Sequence, residues 1–290
     1  MFKIATTETY DPTLCIDEWV HRDKEFDFLL YITKVLNPKV IRILTDEKSP
    51  WAWMNKPGVL HLTVTGWGCE EMEPNVPIPL VEFNMLKKLF AAGYPKERVV
   101  LRIDPIIPTE RGISAFFFMV NMGIVKDITR YRSSIMQLYQ HSAARLKETE
   151  EWDEINSIYK GKFFPDIEEL KRIDFFNRIK KTIDGAREDI RNDYGVTKEL
   201  HFESCATKLL SNCGFENIGC MSERDLLIND LEPDKLNIPR GSQRSRCMCL
   251  MKHQLIPGGY KRGRCPHKCA YCYLKDVEHT VSVSKGDALF

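Results

Sequence analysis

The sequence predicts an α/β fold, a complete or partial TIM-like (β/α) barrel whose last residues form a cysteine-rich closure. Three observations predict it. Short runs rich in β-branched and aromatic residues alternate with amphipathic stretches along most of the chain. The 290 residues are enough for one barrel-sized core. Five of the ten cysteines fall between residues 247 and 272, after the last predicted strand.

The predicted strands are 2–6, 28–33, 59–65, 98–103, 128–132 and 199–203, each four to seven residues long. Between them, residues 79–92 place Leu80, Phe83, Leu86, Leu89 and Phe90 on one helical face. Residues 166–194 predict one long helix with Ile167, Leu170, Ile173, Phe176, Ile179, Ile183, Ala186 and Ile190 inward and Gly195 as its stop. Glu73-Pro74 and Asp104-Pro105 mark loops. Such alternation implies parallel βαβ units. A doubly wound open sheet is the alternative architecture. Residues 1–245 form the barrel in this reading, and 246–290 a basic segment packed on its rim within one structural unit.

The strand ends are polar: Thr6, Thr7 and Glu8; Thr33 and Lys34; Thr63 and Thr65; Arg102 and Asp104; Arg132 and Ser133; Glu203 and Cys205. Barrel active sites lie at that rim. Arg102, between Leu101 and Ile103, and Glu203, between Phe202 and Ser204, need a partner or a ligand.

Charge and composition narrow the class. The 42 Lys and Arg nearly balance 41 Asp and Glu, yet 240–275 carries nine basic residues and no acidic one. Such a segment suits an anionic partner. No apolar run reaches the ~18–20 residues of a membrane span, and the start at Met1 has no secretory pattern. A cytoplasmic protein with reduced or metal-bound cysteines is expected.

Cys265, Cys269 and Cys272 are spaced C-x3-C-x2-C. Three thiolates so spaced can bind three irons of a four-iron cluster and leave the fourth open. A zinc set completed by His267 or His279 is the alternative, since zinc takes Cys and His ligands in four-fold sets.

With its aromatic before the last cysteine, this motif resembles the radical S-adenosylmethionine superfamily. Cys269-Ala-Tyr-Cys-Tyr-Leu274 is similar to the cluster loop of spore photoproduct lyases. The phrases at 62–68, 73–77, 98–106 and 203–206 resemble domain of unknown function 1848, as do those near Gly219-Cys220 and Cys247-Met248-Cys249. The resemblance implies a [4Fe–4S] cluster on Cys265, Cys269 and Cys272, with S-adenosylmethionine on the open iron. It implies reductive cleavage to a 5′-deoxyadenosyl radical that takes a substrate hydrogen. It also implies a one-electron donor such as flavodoxin or ferredoxin.

By the same resemblance Tyr271 lies near the adenine. Thr65, Arg102, Asp104 and Glu203 are candidates to hold the rest of the cofactor, and Arg102, Asp104 and Glu203 are the candidate catalytic side chains. The chain departs from the superfamily in two ways. Its cluster loop comes last instead of after the first strand, which implies a permuted barrel. It has no Gly-Gly-Glu phrase, so Thr6, Thr7 and Glu8, on the next strand in permuted order, are candidates to replace it.

Cys205, Cys220, Cys247 and Cys249 form a candidate second set for an auxiliary [4Fe–4S] cluster or a zinc ion. The basic segment, the lyase-like loop and Tyr260, Tyr271 and Tyr273 point to a nucleic acid or nucleobase substrate. A peptide or small metabolite is the alternative substrate. An iron–sulfur electron-transfer or sensor protein, or a zinc-dependent nucleic-acid-binding module, is the alternative function.

Overall fold

A computed structural model describes residues 1–7, 10–194, 198–205, 208–241, 248–256 and 265–274. Among the described residues eight strands build one sheet: β1 (Ile4–Thr6), β2 (Phe28–Thr33), β3 (Gly58–Thr63), β4 (Val99–Arg102), β5 (Arg130–Ser133), β6 (His201–Ser204), β7 (Glu216–Asn217) and β8 (His253–Gln254). Their order is β7-β6-β5-β4-β3-β2-β1-β8, and every neighbouring pair is parallel. The strands from β1 to β7 follow one direction of winding, which removes the doubly wound alternative. The chain then returns to set β8 beside β1. The six predicted strands all form, with ends displaced by at most two residues. β7 and β8, two residues each, carried no pattern long enough to predict them.

Helices fill the connections: α1 (Ile16–Trp19), α2 (Pro38–Thr45), α3 (Pro79–Ala91), α4 (Glu110–Val125), α5 (Gln140–Leu146), α6 (Trp152–Tyr159), α7 (Ile167–Arg172), α8 (Phe175–Tyr194), α9 (Glu223–Leu227) and α10 (Pro233–Leu236). Local chemistry starts them. The Asn37 side chain accepts from Val40 N, and that of Thr109 from Gly112 N. Pro38 and Pro79 occupy first turns, where a missing N–H costs nothing. The single helix predicted over 166–194 is instead α7 and α8. The chain breaks at Asp174, whose φ of 55° is left-handed. Ile167 is consequently exposed, whereas Leu170, Phe175, Ile179 and Ile183 are buried. Periodicity alone does not show such a break, because the apolar face continues across it. Gly195 lies outside the described residues.

The two faces of the sheet differ. One carries Leu62, Leu101, Tyr131 and Phe202 in register and packs against the helices in the main core. Tyr131 and Phe202 stack with ring centroids 4.8 Å apart, a contact worth about 1 kcal/mol beyond its buried area. The opposite face carries Ile4, Phe28, Leu30, Ile32 and Val59, covered by Met221, by Leu226 of α9 and by Leu250. Across β3 to β7 that face turns polar, in the row Thr63, Arg102, Arg132, Glu203 and Glu216. No helix among the described residues is long and apolar enough to cross a membrane.

Candidate functional site

Cys265, Cys269 and Cys272 follow β8 in one tight turn. Lys268 N donates to Cys265 O at 3.3 Å and Cys272 N to Cys269 O at 3.1 Å, with Lys268 in a left-handed conformation at φ 53°. The turn is docked by the 64–78 loop, which follows β3. Ala270 N donates to Met72 O at 3.0 Å, and Asn75 Nδ2 to Pro266 O at 2.7 Å. His267 sits between Asn75 O, 3.2 Å from Nδ1, and Asp11 Oδ2, 2.8 Å from Nε2. Both ring nitrogens are thereby engaged, which leaves His267 unsuited to the zinc set considered from the sequence. Arg145 of α5 donates to Ala270 O at 3.0 Å, to Leu274 O at 3.3 Å and to Cys272 O.

Glu73 is the centre of this dock and is 1% exposed. One carboxylate oxygen accepts from Lys34 Nζ at 2.5 Å and from the Tyr271 hydroxyl; the other accepts from Thr65 Oγ1 at 2.6 Å. Burial works against the Lys34 charge, but Glu73 and the Cys269 thiol outweigh it and hold the ammonium above its ordinary pKa. Asp11 accepts from Thr33 Oγ1 and the backbone of Thr13 and Lys34. Burial alone would raise its pKa; His267, then the Lys34 N–H and the Thr33 hydroxyl, bring it below its ordinary value.

A cavity of about 320 Å³ opens beside the turn, at the C-terminal ends of the strands. Cys265, Cys269 and Cys272 line it, with Tyr271, Lys34, Arg102, Asp104 and Ser134. Arg102 pairs with Asp104, which also accepts from Ser134 Oγ at 2.5 Å. Burial pushes the Cys265 thiol up to about 12 and also raises Cys269 and Cys272. Against burial stand the Lys34 charge at all three sulfurs, Arg145 at Cys272, and the backbone N–H groups of His267 and Leu274 at Cys265 and Cys272. These donors and cations offset part of the cost of burying a thiolate and do not overcome it.

The same cavity is lined by Cys205, Cys220 and Cys249. They come from the end of β6, the turn after β7 and the approach to β8. Their sulfurs lie within 4.8 Å of one another, an arrangement able to hold a metal ion or cluster. Cys220 N donates to Cys249 Sγ at 3.1 Å, and Arg132 Nη1 to Cys220 O at 2.5 Å. Hydrogen bonds shared with Cys220 and Cys249, reinforced by burial, push the Cys205 thiol well up. Gly219 permits this approach: a Cβ there would stand 2.7 Å from the Cys249 backbone. Cys247, the fourth cysteine of the predicted set, lies outside the described residues.

The family model of DUF1848, a domain of unknown function, matches residues 13–274. The chain belongs to that family. No curated protein and no solved structure matches it. The matched residues of this DUF1848 domain include both cysteine sets, Cys247 among them, although Cys247 is not described.

The other predicted residues divide. Thr7, Arg102, Asp104 and Tyr271 line the cavity. Thr7 spends its hydroxyl on β2, accepting from Ile32 N at 2.7 Å and donating to Ile32 O at 3.0 Å. Thr6 and Thr65 are buried away from the lining, and Thr65 serves Glu73. Glu8 lies outside the described residues. Glu203 is also off the lining, 0% exposed, and bonded to Arg130, Arg132 and Arg224. Burial alone would raise its pKa; Arg132 and Arg130, then Arg224, lower it to about 2. Asp225 completes the cluster, accepting from Arg130 Nη2 at 2.7 Å while its other oxygen caps α9 through Ser222 N. Glu203 thus finds partners within the protein, the first of the two readings its sequence position allowed. Sequence reasoning missed Glu73, Lys34, Asp11 and Arg145 as the dock of the cysteine turn. Only Glu73-Pro74 and the polar end of β2 marked any of them, and neither showed what it would touch.

Proposed function

We propose that this DUF1848 chain is a radical S-adenosylmethionine enzyme, with an open, permuted (β/α) barrel as its scaffold. One observation carries the reading. The C-x3-C-x2-C turn follows β8, β8 pairs with β1, and all three cysteines line a cavity at the strand C-termini. Taken in spatial order, β8 comes first, its cysteine turn second, and β1 to β7 after it. That is the superfamily order, reached here from the other end of the chain.

The three thiols suit a cluster: all three line the cavity, near the Lys34 and Arg145 charges and the backbone N–H groups of His267 and Leu274. When bound, a [4Fe–4S] cluster with S-adenosylmethionine supplies one-electron cleavage to a 5′-deoxyadenosyl radical that abstracts a hydrogen atom. The chain's own residues then have defined tasks. Cys265, Cys269 and Cys272 would hold the irons. Glu73, Asp11 and Arg145 fix the turn, and Lys34 offsets thiolate charge. Arg102, Asp104 and Ser134 offer paired donors and acceptors to a zwitterionic, hydroxyl-bearing cofactor. Tyr271, tied to Glu73 and Lys34, presents an aromatic wall for its base. The substrate in this reading is a nucleic acid or nucleobase, drawn by the basic segment. Of that segment Arg240, Lys252 and Lys268 are described, whereas Arg244, Arg246, Lys261, Arg262, Arg264 and Lys275 lie outside the described residues.

Anaerobic reconstitution with iron and sulfide tests the proposal. A brown protein is expected, with about four irons at this site and 5′-deoxyadenosine formed on dithionite reduction. An iron-loaded protein that leaves S-adenosylmethionine intact would mean electron transfer or sensing instead. A colourless protein purified with zinc would favour the binding-module alternative. Gel shifts across a salt series, with and without Arg262 and Arg264, test the substrate class; no shift at low salt counts against nucleic acid.

A further inference from the structure

We propose that Cys205, Cys220 and Cys249 hold a second thiolate-bound metal centre in the wall of the same cavity, distinct from the C-terminal turn. This goes beyond the radical reading and does not rest on it. Two strand connections deliver three sulfurs to within 4.8 Å of one another: Cys205 from between β6 and β7, and Cys220 and Cys249 from the two ends of the segment between β7 and β8. A tetrahedral ion about 2.3 Å from each sulfur sets the sulfurs about 3.8 Å apart, so small side-chain movements suffice to close on zinc. An iron–sulfur cluster uses the same soft thiolate chemistry with one cysteine per iron.

The surroundings separate these thiols from ordinary core cysteines. Cys213 is packed in the apolar core, where thiols behave as small apolar groups. Cys205, Cys220 and Cys249 instead line a cavity whose wall includes Arg132 and Lys252. Binding releases one proton from each thiol to solvent, and a divalent ion with three thiolates carries one net negative charge. Arg132, already bonded to Cys220 O, sits beside that charge. The Cys220 N–H directed at Cys249 Sγ is a donor that a ligating thiolate accepts. Gly219 is the backbone condition for the close approach to Cys249.

Because this centre would share the cavity with the C-terminal turn, its test must exclude that turn. The triple variant Cys265→Ala, Cys269→Ala and Cys272→Ala is purified anaerobically and assayed for zinc, iron and acid-labile sulfide. Expected is metal retained by the triple variant, lost on adding Cys220→Ala and unaffected by adding the exposed Cys69→Ala. Zinc alone identifies a single ion, and iron with sulfide a cluster; either supports the second centre. A folded triple variant containing neither metal overturns it.

If the variants fail to fold, the wild-type chain decides through iodoacetamide labelling read by mass spectrometry. Cys205 and Cys220 are expected to be protected until the metal is stripped by chelator, under dithionite for iron so that the freed thiols stay reduced. Equal labelling before and after stripping, or a disulfide between two of the three, overturns the proposal. No step uses S-adenosylmethionine, so failure of the radical reading leaves this result intact.

Discussion

Two cysteine triads face one cavity, and they are built in opposite ways. Cys265, Cys269 and Cys272 lie within eight residues of one turn, so chain connectivity itself keeps them together. That turn lies beyond the last strand, and its position depends on what clamps it: Glu73 and Lys34 on Tyr271, Asp11 on His267, and Arg145 on three backbone carbonyls. Cys205, Cys220 and Cys249 have no local connection. The fold positions them, because the ends of β6 and β7 and the segment leading into β8 meet at the cavity, and Arg132 bonds the Cys220 carbonyl while Gly219 lets its turn approach Cys249. A motif local in sequence therefore requires external docking. A dispersed set needs only the fold, at the cost of being hard to read in the sequence.

The sharpest break between the triads is Cys269→Ala. It is expected to reduce 5′-deoxyadenosine formation to background while leaving metal at the Cys205 set. Retained cleavage, measured by chromatography after dithionite reduction, would sink the cluster assignment.

Next is Glu203→Gln. Glu203 holds Arg132, and Arg132 holds the Cys220 carbonyl, so the change reaches the dispersed set and not the turn. Its carboxyl is lowered from 4.5 to about 2 in the folded protein. A depressed pKa stabilises the fold above the unfolded value, and this stability is lost as pH falls from about 4.5 through about 2. The amide is expected to cost about 3 kcal/mol at neutral pH, measured by urea denaturation. It should also flatten the acid limb of the stability profile; an unchanged limb would remove Glu203 from that role.

A smaller effect is expected of Gly219→Ala. The added carbon must push the 219–220 turn away from Cys249. Metal affinity at the dispersed set is expected to fall roughly tenfold, the scale of second-sphere changes, with the C-terminal turn unaffected. Chelator competition measures it, and equal affinity would show that the turn yields without consequence. The smallest is Tyr271→Phe. The ring and the Glu73–Lys34 ion pair remain, and one shared hydroxyl is lost, worth roughly 1 kcal/mol. A few-fold fall in S-adenosylmethionine cleavage is expected, with no change at the Cys205 set; loss at both sets would mean the triads are not independently held.

Much of this was legible before the fold was known. β2 matches its predicted residues, and the other long strands shift only at their ends, because β-branched runs between turn residues report a buried strand directly. The C-x3-C-x2-C turn was legible because its ligands are neighbours in sequence. The break between α7 and α8 was not, since Asp174 interrupts the backbone and not the apolar period. Glu203 was correctly singled out as a charge needing an answer, but the nature of the answer depended on Arg130, Arg132 and Arg224, which its own strand does not reveal.

The amino-acid sequence by itself determined the alternation of strands and helices, the cysteine turn and the charge division, all of which rest on spacings shorter than a few turns of chain. Tertiary structure alone decided that β8 pairs with β1, that Glu73 and Asp11 dock the turn, and that three distant thiols converge on the same cavity. The physical reason is range. Propensity and local spacing act over a handful of residues, whereas strand order and burial are settled by contacts between segments that only the closed core brings together.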